Sequence, residues 1–113
     1  MKSLTAAMLL ALTLLGCAKA PPDFPAPLDP MVGIRGYLMG HMKDPLGVQI
    51  AGINGPYMIQ GAGFRPSGYL YCLTMNARNS YGGYVGFQTY KFIFYTEDQP
   101  TLLDDWAIWA QCN

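Results

Sequence analysis

The chain has 113 residues, of which 51% are hydrophobic and 12% charged, and its seven basic and seven acidic side chains cancel to a formal net charge of +0. That balance leaves no electrostatic footprint for a nucleic-acid partner or for steering to an anionic surface. The length allows one small domain, of a size that often needs a covalent staple, and eight Tyr, five Phe and two Trp must fill either its core or a binding face.

Lys2 supplies a positive start, Leu4 to Leu15 an apolar run, and small residues follow, which is the pattern of a secretory signal peptide. The run is shorter than the roughly 20 apolar residues that a membrane-spanning helix requires. It ends in Leu14-Leu15-Gly16-Cys17. These four residues resemble the lipobox of bacterial lipoproteins, whose cysteine is lipidated and becomes the first residue of the mature chain. The resemblance implies a signal peptide over residues 1–16 and acyl chains, palmitate among them, on Cys17. More than one such chain gives stable attachment to a membrane. Cleavage after Ala18-Lys19-Ala20 is the competing possibility, but Pro21 would then follow the scissile bond with no amide N–H and a fixed φ. In such lipoproteins an Asp after the cysteine commonly retains the protein at the inner membrane. The Ala18 found here implies the outer membrane and does not select a side of it; the domain is expected to face the periplasm.

Residues 17–28 carry Pro21, Pro22, Pro25 and Pro27 and are expected to form a polyproline II tether, at about 3.1 Å per residue. Pro22-Asp23-Phe24-Pro25 also has the spacing of a Pro-x-x-Pro ligand, a match too short to outweigh a spacer. The single domain is expected over residues 29–113. Asp29-Pro30 has the form of a helix cap and first helical residue, and Met31, Ile34, Leu38 and Met42 recur at helical spacing until Asp44-Pro45. Gly33, Gly36 and Gly40 weaken that helix by about 1 kcal/mol each, and their strip implies close packing on another element.

The period then changes. Gly47 to Ile53 alternates loosely, Asn54-Gly55-Pro56 offers turn chemistry, and Tyr57 to Gly63 continues or pairs with the first run. From Gly68 to Met75 a strand is expected with Tyr69, Tyr71, Leu73 and Met75 on one face and Leu70, Cys72 and Thr74 on the other. Tyr84 to Tyr95 forms the next strand, with Val85, Phe87 and Ile93 opposite Tyr84, Tyr90, Phe92 and Phe94, and Asn79 to Gly83 is the hairpin between them. Thr101-Leu102-Leu103-Asp104 resembles a capping box ahead of a last helix bearing Trp106, Trp109 and Ala110. With Cys17 set aside, Cys72 and Cys112 remain as an even pair in an oxidising compartment, so a disulfide is expected. The fold expected is α+β: an N-terminal helix, an antiparallel sheet of three to four strands, and a C-terminal helix clamped by that disulfide.

No catalytic constellation emerges. His41 is the sole histidine, lacks a ligand cluster, and suits the C-terminus of a helix. Ser67 and Ser80 lie in no hydrolase motif, and Asp23, Asp29, Asp44, Glu97, Asp98, Asp104 and Asp105 show no paired arrangement. No metal, no cofactor and no enzymatic activity are expected.

Met42-Lys43-Asp44-Pro45, Cys72, and Asn76-Ala77-Arg78-Asn79-Ser80-Tyr81-Gly82-Gly83-Tyr84-Val85-Gly86-Phe87 together resemble a family of small uncharacterised bacterial proteins. Its members are secreted or lipid-anchored, with the pattern Lys-Asp-Pro, Cys, then Asn-Ala-Lys/Arg-Asn-Ser-x-Gly-Gly-Tyr-x-Gly-Phe. The likeness covers about residues 40 to 95 and implies no particular activity. Leu73 stands where that pattern often has Gly, and Leu46-Gly47 where it often has an acidic residue and Ser. Arg78, Asn79, Tyr81 and Tyr84 are the candidate partner-binding residues, weighed against a purely turn-forming role for the Asn, Ser and Gly around them. A non-enzymatic lipoprotein that binds or supports an envelope protein is expected, in one version a phage-encoded lysis or superinfection-exclusion factor. A small cell-wall hydrolase or hydrolase inhibitor using an exposed carboxylate, Asp44 or Glu97, is the alternative.

Overall fold

Alternation along Gly68–Arg78 gives the sheet its two faces, because successive side chains on a strand point to opposite sides. In a computed structural model, which describes residues 21–79 and 81–112, this strand (β2) lies inside an antiparallel meander. Its neighbours are β1, Gln49–Ile59, and β3, Tyr84–Phe94, and a short β4, Pro100–Leu102, pairs with the end of β3. The signal peptide expected over 1–16, the Cys17 expected to carry lipid, and Ser80 lie outside the described residues.

The single α-helix among the described residues (α1) spans Pro30–His41. The Asp29 side chain accepts a hydrogen bond from the Met31 N–H at 3.0 Å, occupying one of the free donors at the helix start. Ile34 and Leu38 face the sheet, where they meet Tyr71, Leu73 and Met75 of β2 and Phe92 and Phe94 of β3 in the larger core cluster. After the helix, Pro45–Gly47 forms one 3-10 turn capped by Asp44. No helix among the described residues is long and apolar enough to cross a membrane.

Asn54-Gly55-Pro56 does not separate two strands. β1 runs through it, with one extra residue opposite β2: Asn54 pairs with Cys72 and Tyr57 with Leu70. Gly55, at φ +131°, takes the bulge because an added Cβ would meet the Leu70 carbonyl at 2.7 Å. A second bulge between Ile50 and Gly52 lets Ile50 and Ile53 both reach the helix-side core.

The expected C-terminal helix is absent. Thr101, expected to open its cap, lies in β4 opposite Ile93, and the chain from Asp104 to Ala110 turns repeatedly instead, with Ala107 N–H bonded to Asp104 O and Ala110 N–H to Ala107 O. A helix this short gains little on its own. Both ends of the segment are fixed elsewhere: Leu103 N–H donates to Lys91 O at 2.8 Å, and Cys112 is bridged to Cys72. Ala110 is thereby buried with Leu70, Cys72 and Ile93, and Leu103 and Trp109 pack around them. The disulfide joins residues 40 apart in sequence across a Cα separation of 6.0 Å.

The proline-rich segment touches the domain before the helix begins. Phe24 packs edge-on against Tyr69, with ring centroids 5.4 Å apart.

Candidate functional site

The two segments that carry the sequence resemblance meet at the hairpin end of the sheet. Arg78 Nη1 lies 3.6 Å from Asp44 Oδ2, and its guanidinium sits 5.0 Å from the centre of the Tyr84 ring. A hydrogen bond and attraction to Tyr84, then the charge of Asp44, hold the guanidinium above its ordinary pKa. Asp44 Oδ1 also accepts from the Gly47 N–H. A Cβ on Gly47 would collide with that carboxylate and come within 3.2 Å of Arg78 Cδ, so glycine at this position lets the pair close over the turn.

Asn76 ties the same end together from beneath. Its side-chain oxygen accepts from the Gly86 N–H at 2.9 Å and its amide donates to Gln49 Oε1 at 3.2 Å, joining β1, β2 and β3. Asn79 is spent on the turn: its Oδ1 accepts from the N–H groups of Tyr81 and Gly83, and its own N–H donates to Gly83 O at 2.7 Å. Gly82, at φ +83°, supplies the left-handed backbone there. The candidate residues thus separate into an Arg78–Tyr84 pair, a structural Asn79, and Tyr81, which projects from the hairpin almost fully exposed.

A neighbouring surface was not anticipated from the sequence. β4 pairs only with Phe92 to Phe94, and beyond them Leu103 N–H reaches Lys91 O. No strand among the described residues pairs with the outer side of Tyr84 to Tyr90. This edge, Tyr-Val-Gly-Phe-Gln-Thr-Tyr, has no charged side chain, and Val85 and Phe87 are half exposed on it. The apolar alternation of the stretch suggests a core strand. Only the shortness of β4 leaves it open.

Asp29, Glu97 and Asp98 line one cavity beside the start of α1, whereas Asp44 and Glu97 are placed apart. His41 stacks on Tyr37 at 3.8 Å and its Nδ1 donates to the Tyr37 carbonyl at 2.8 Å, at the end of α1. Asp44 belongs to the hairpin end of the sheet, and Glu97 follows the far end of β3. A strand of that length spans about 33 Å, against the roughly 5–9.5 Å between the acids of a glycosidase pair. Among the described residues no three His, Cys, Asp or Glu side chains gather as a metal site. No family model, no curated protein and no solved structure matches the chain.

Proposed function

We propose that this is a non-enzymatic, lipid-anchored protein of the bacterial cell envelope, held by Cys17, whose domain binds an envelope protein along the outer edge of β3 and the hairpin before it. The observation that carries this reading is the open, uncharged edge from Tyr84 to Tyr90. Exposed strand edges are normally blunted by charge, proline, bulges or a covering element. The outer edge of β1 is blunted by its two bulges and Pro56, and the last part of β3 is covered by β4. The remaining stretch of β3 carries one bulge near the hairpin, where Val85 and Gly86 together oppose Ala77. Beyond it the regular run from Phe87 to Tyr90 offers main-chain donors and acceptors for an added strand, with Val85, Phe87 and Tyr81 beside them as apolar contact area. The Cys72–Cys112 bridge supports an exported location, since disulfides persist in oxidising compartments.

The test is cross-linking and affinity capture of the lipidated protein from envelopes, comparing the native chain with a Val85→Lys, Phe87→Lys double variant. Both side chains are half exposed, so the thermal midpoint should hold while the captured partner is lost. Capture of the same partner in equal yield by both proteins would overturn the edge as the binding site. An Arg78→Ala, Tyr81→Ala variant measures the contribution of the hairpin separately.

A further inference from the structure

The linker between the expected anchor and the domain is short, because the tether is already docked by Phe24. Pro21, Pro22 and Phe24 line one cavity with Pro66, Ser67 and Tyr95, and Phe24 packs on Tyr69, the second residue of β2. Pro21 lies four residues beyond Cys17. Four residues reach at most about 14 Å when fully extended, so a lipid on Cys17 holds this end of the sheet at the membrane surface.

That end carries an apolar side chain at the apex of a rigid turn. Between β1 and β2, Ala62 and Arg65 exchange both main-chain hydrogen bonds at 3.0 Å, leaving Gly63-Phe64 as a two-residue hairpin loop. Gly63 has φ +60° and Phe64 does not have positive φ, as a type II′ turn requires. Arg65 braces the loop from behind, donating to Gln60 O at 3.1 Å with its guanidinium 3.9 Å from the centre of the Trp109 ring. Phe64 itself is 109% exposed, as open as in an unfolded chain, although Pro66, two residues on, lines the cavity that holds Pro21.

We propose that the β1–β2 loop is a membrane contact, with Phe64 seated in the bilayer interface beside the lipidated Cys17. This rests on the lipoprotein reading of Cys17. β2 leads away from the loop to Arg78, a rise of about 33 Å for its 11 residues. The domain therefore stands with its sheet running out from the bilayer, and the hairpin at Tyr81 and the open edge of β3 are presented to partners away from the lipid. Asp23, Glu97 and Asp98 share the membrane end and outweigh the positive charge of Arg65 beside Phe64, so the contact is carried by Phe64 and does not depend on anionic headgroups.

The test uses the full lipidated chain in phosphatidylcholine vesicles with brominated acyl chains, which quench tryptophan at short range. Phe64→Trp and Tyr81→Trp variants are compared against the common background of Trp106 and Trp109. Both positions are fully exposed, so neither replacement disturbs packing. The added emission at position 64 should shift to the blue and be quenched several-fold more than that at position 81. Mass analysis of Cys17 keeps two failures distinct. With the lipid present, equal quenching at both positions, or none at 64, overturns the membrane contact and leaves the anchor standing. An unmodified Cys17 in protein that does not sediment with vesicles removes the anchor and the proposal with it.

Discussion

Gly33 and Gly36 stand one turn apart on α1 and cost the helix the same in backbone freedom, about 1 kcal/mol each relative to alanine. Their surroundings set them apart. A Cβ on Gly33 would lie 2.9 Å from the Asp98 carbonyl oxygen, 3.0 Å from the Phe94 ring and 3.2 Å from Pro100, while one on Gly36 or Gly40 would meet nothing within 4 Å. Only the first glycine therefore serves the close packing that the strip of three implies. The two substitutions should have opposite signs. Gly36→Ala should stabilise by about 0.5–1 kcal/mol through helix propensity. Gly33→Ala should destabilise by about 1–3 kcal/mol through overpacking against backbone that cannot move aside. Urea midpoints of the two variants decide it, and a stabilised Gly33→Ala would show that α1 does not pack on the β3–β4 turn as described.

At the scale of elements, the hairpin end is held by one buried amide and one exposed ion pair, and these should not contribute equally. Asn76 is 8% exposed, and its loss would leave the Gly86 N–H without its partner, a penalty of about 1–3 kcal/mol. The side chains of Arg78 and Asp44 are 43% and 44% exposed, and such a pair is worth about 1 kcal/mol or less. Asn76→Ala should thus lower stability more than Arg78→Ala does, measured by denaturant titration. The sequence carries the polarity of β2 openly, since Tyr71, Leu73 and Met75 alternate with Leu70 and Cys72 and the structure divides them between the two core clusters. It does not carry the joining of Asp44 to Arg78 or of Gln49 to Asn76, which depends on long-range register. Nor does it distinguish the apolar residues from Leu102 to Ala110 from a helix face. Their spacing fits one, yet Leu102 is drawn into β4 and Ala107 and Ala110 are the buried pair, while Trp106 is left exposed. The open edge of β3 was hidden for a related reason: it follows from where β4 stops. Val85 and Phe87, which alternate like core residues, are exposed because the C-terminal segment covers its face around Leu70, Cys72 and Ile93 and not the hairpin end.

For the whole molecule, the two faces of the sheet are covered by unlike means. One face has a capped helix with its own hydrogen bonds. The other has a segment without regular structure, whose buried contribution is mainly Ala107, Ala110 and parts of Leu103 and Trp109. So little apolar surface does not offset the entropy of fixing an irregular segment, and the bridge to Cys72 carries the difference. For a loop of this length the chain-entropy estimate is about 4 kcal/mol, a large share of the roughly 5–15 kcal/mol available to a small domain. Cys112→Ser, which leaves the buried Cys72 in place, should therefore lower unfolding stability by several kcal/mol. It should also release the C-terminal segment first. Hydrogen exchange at Ala107 and Ala110, whose N–H groups bond only within the segment, should accelerate more than exchange at Leu38 in α1. Equal acceleration at all three would show that the segment is held by packing and that the sheet and its cover unfold as one unit.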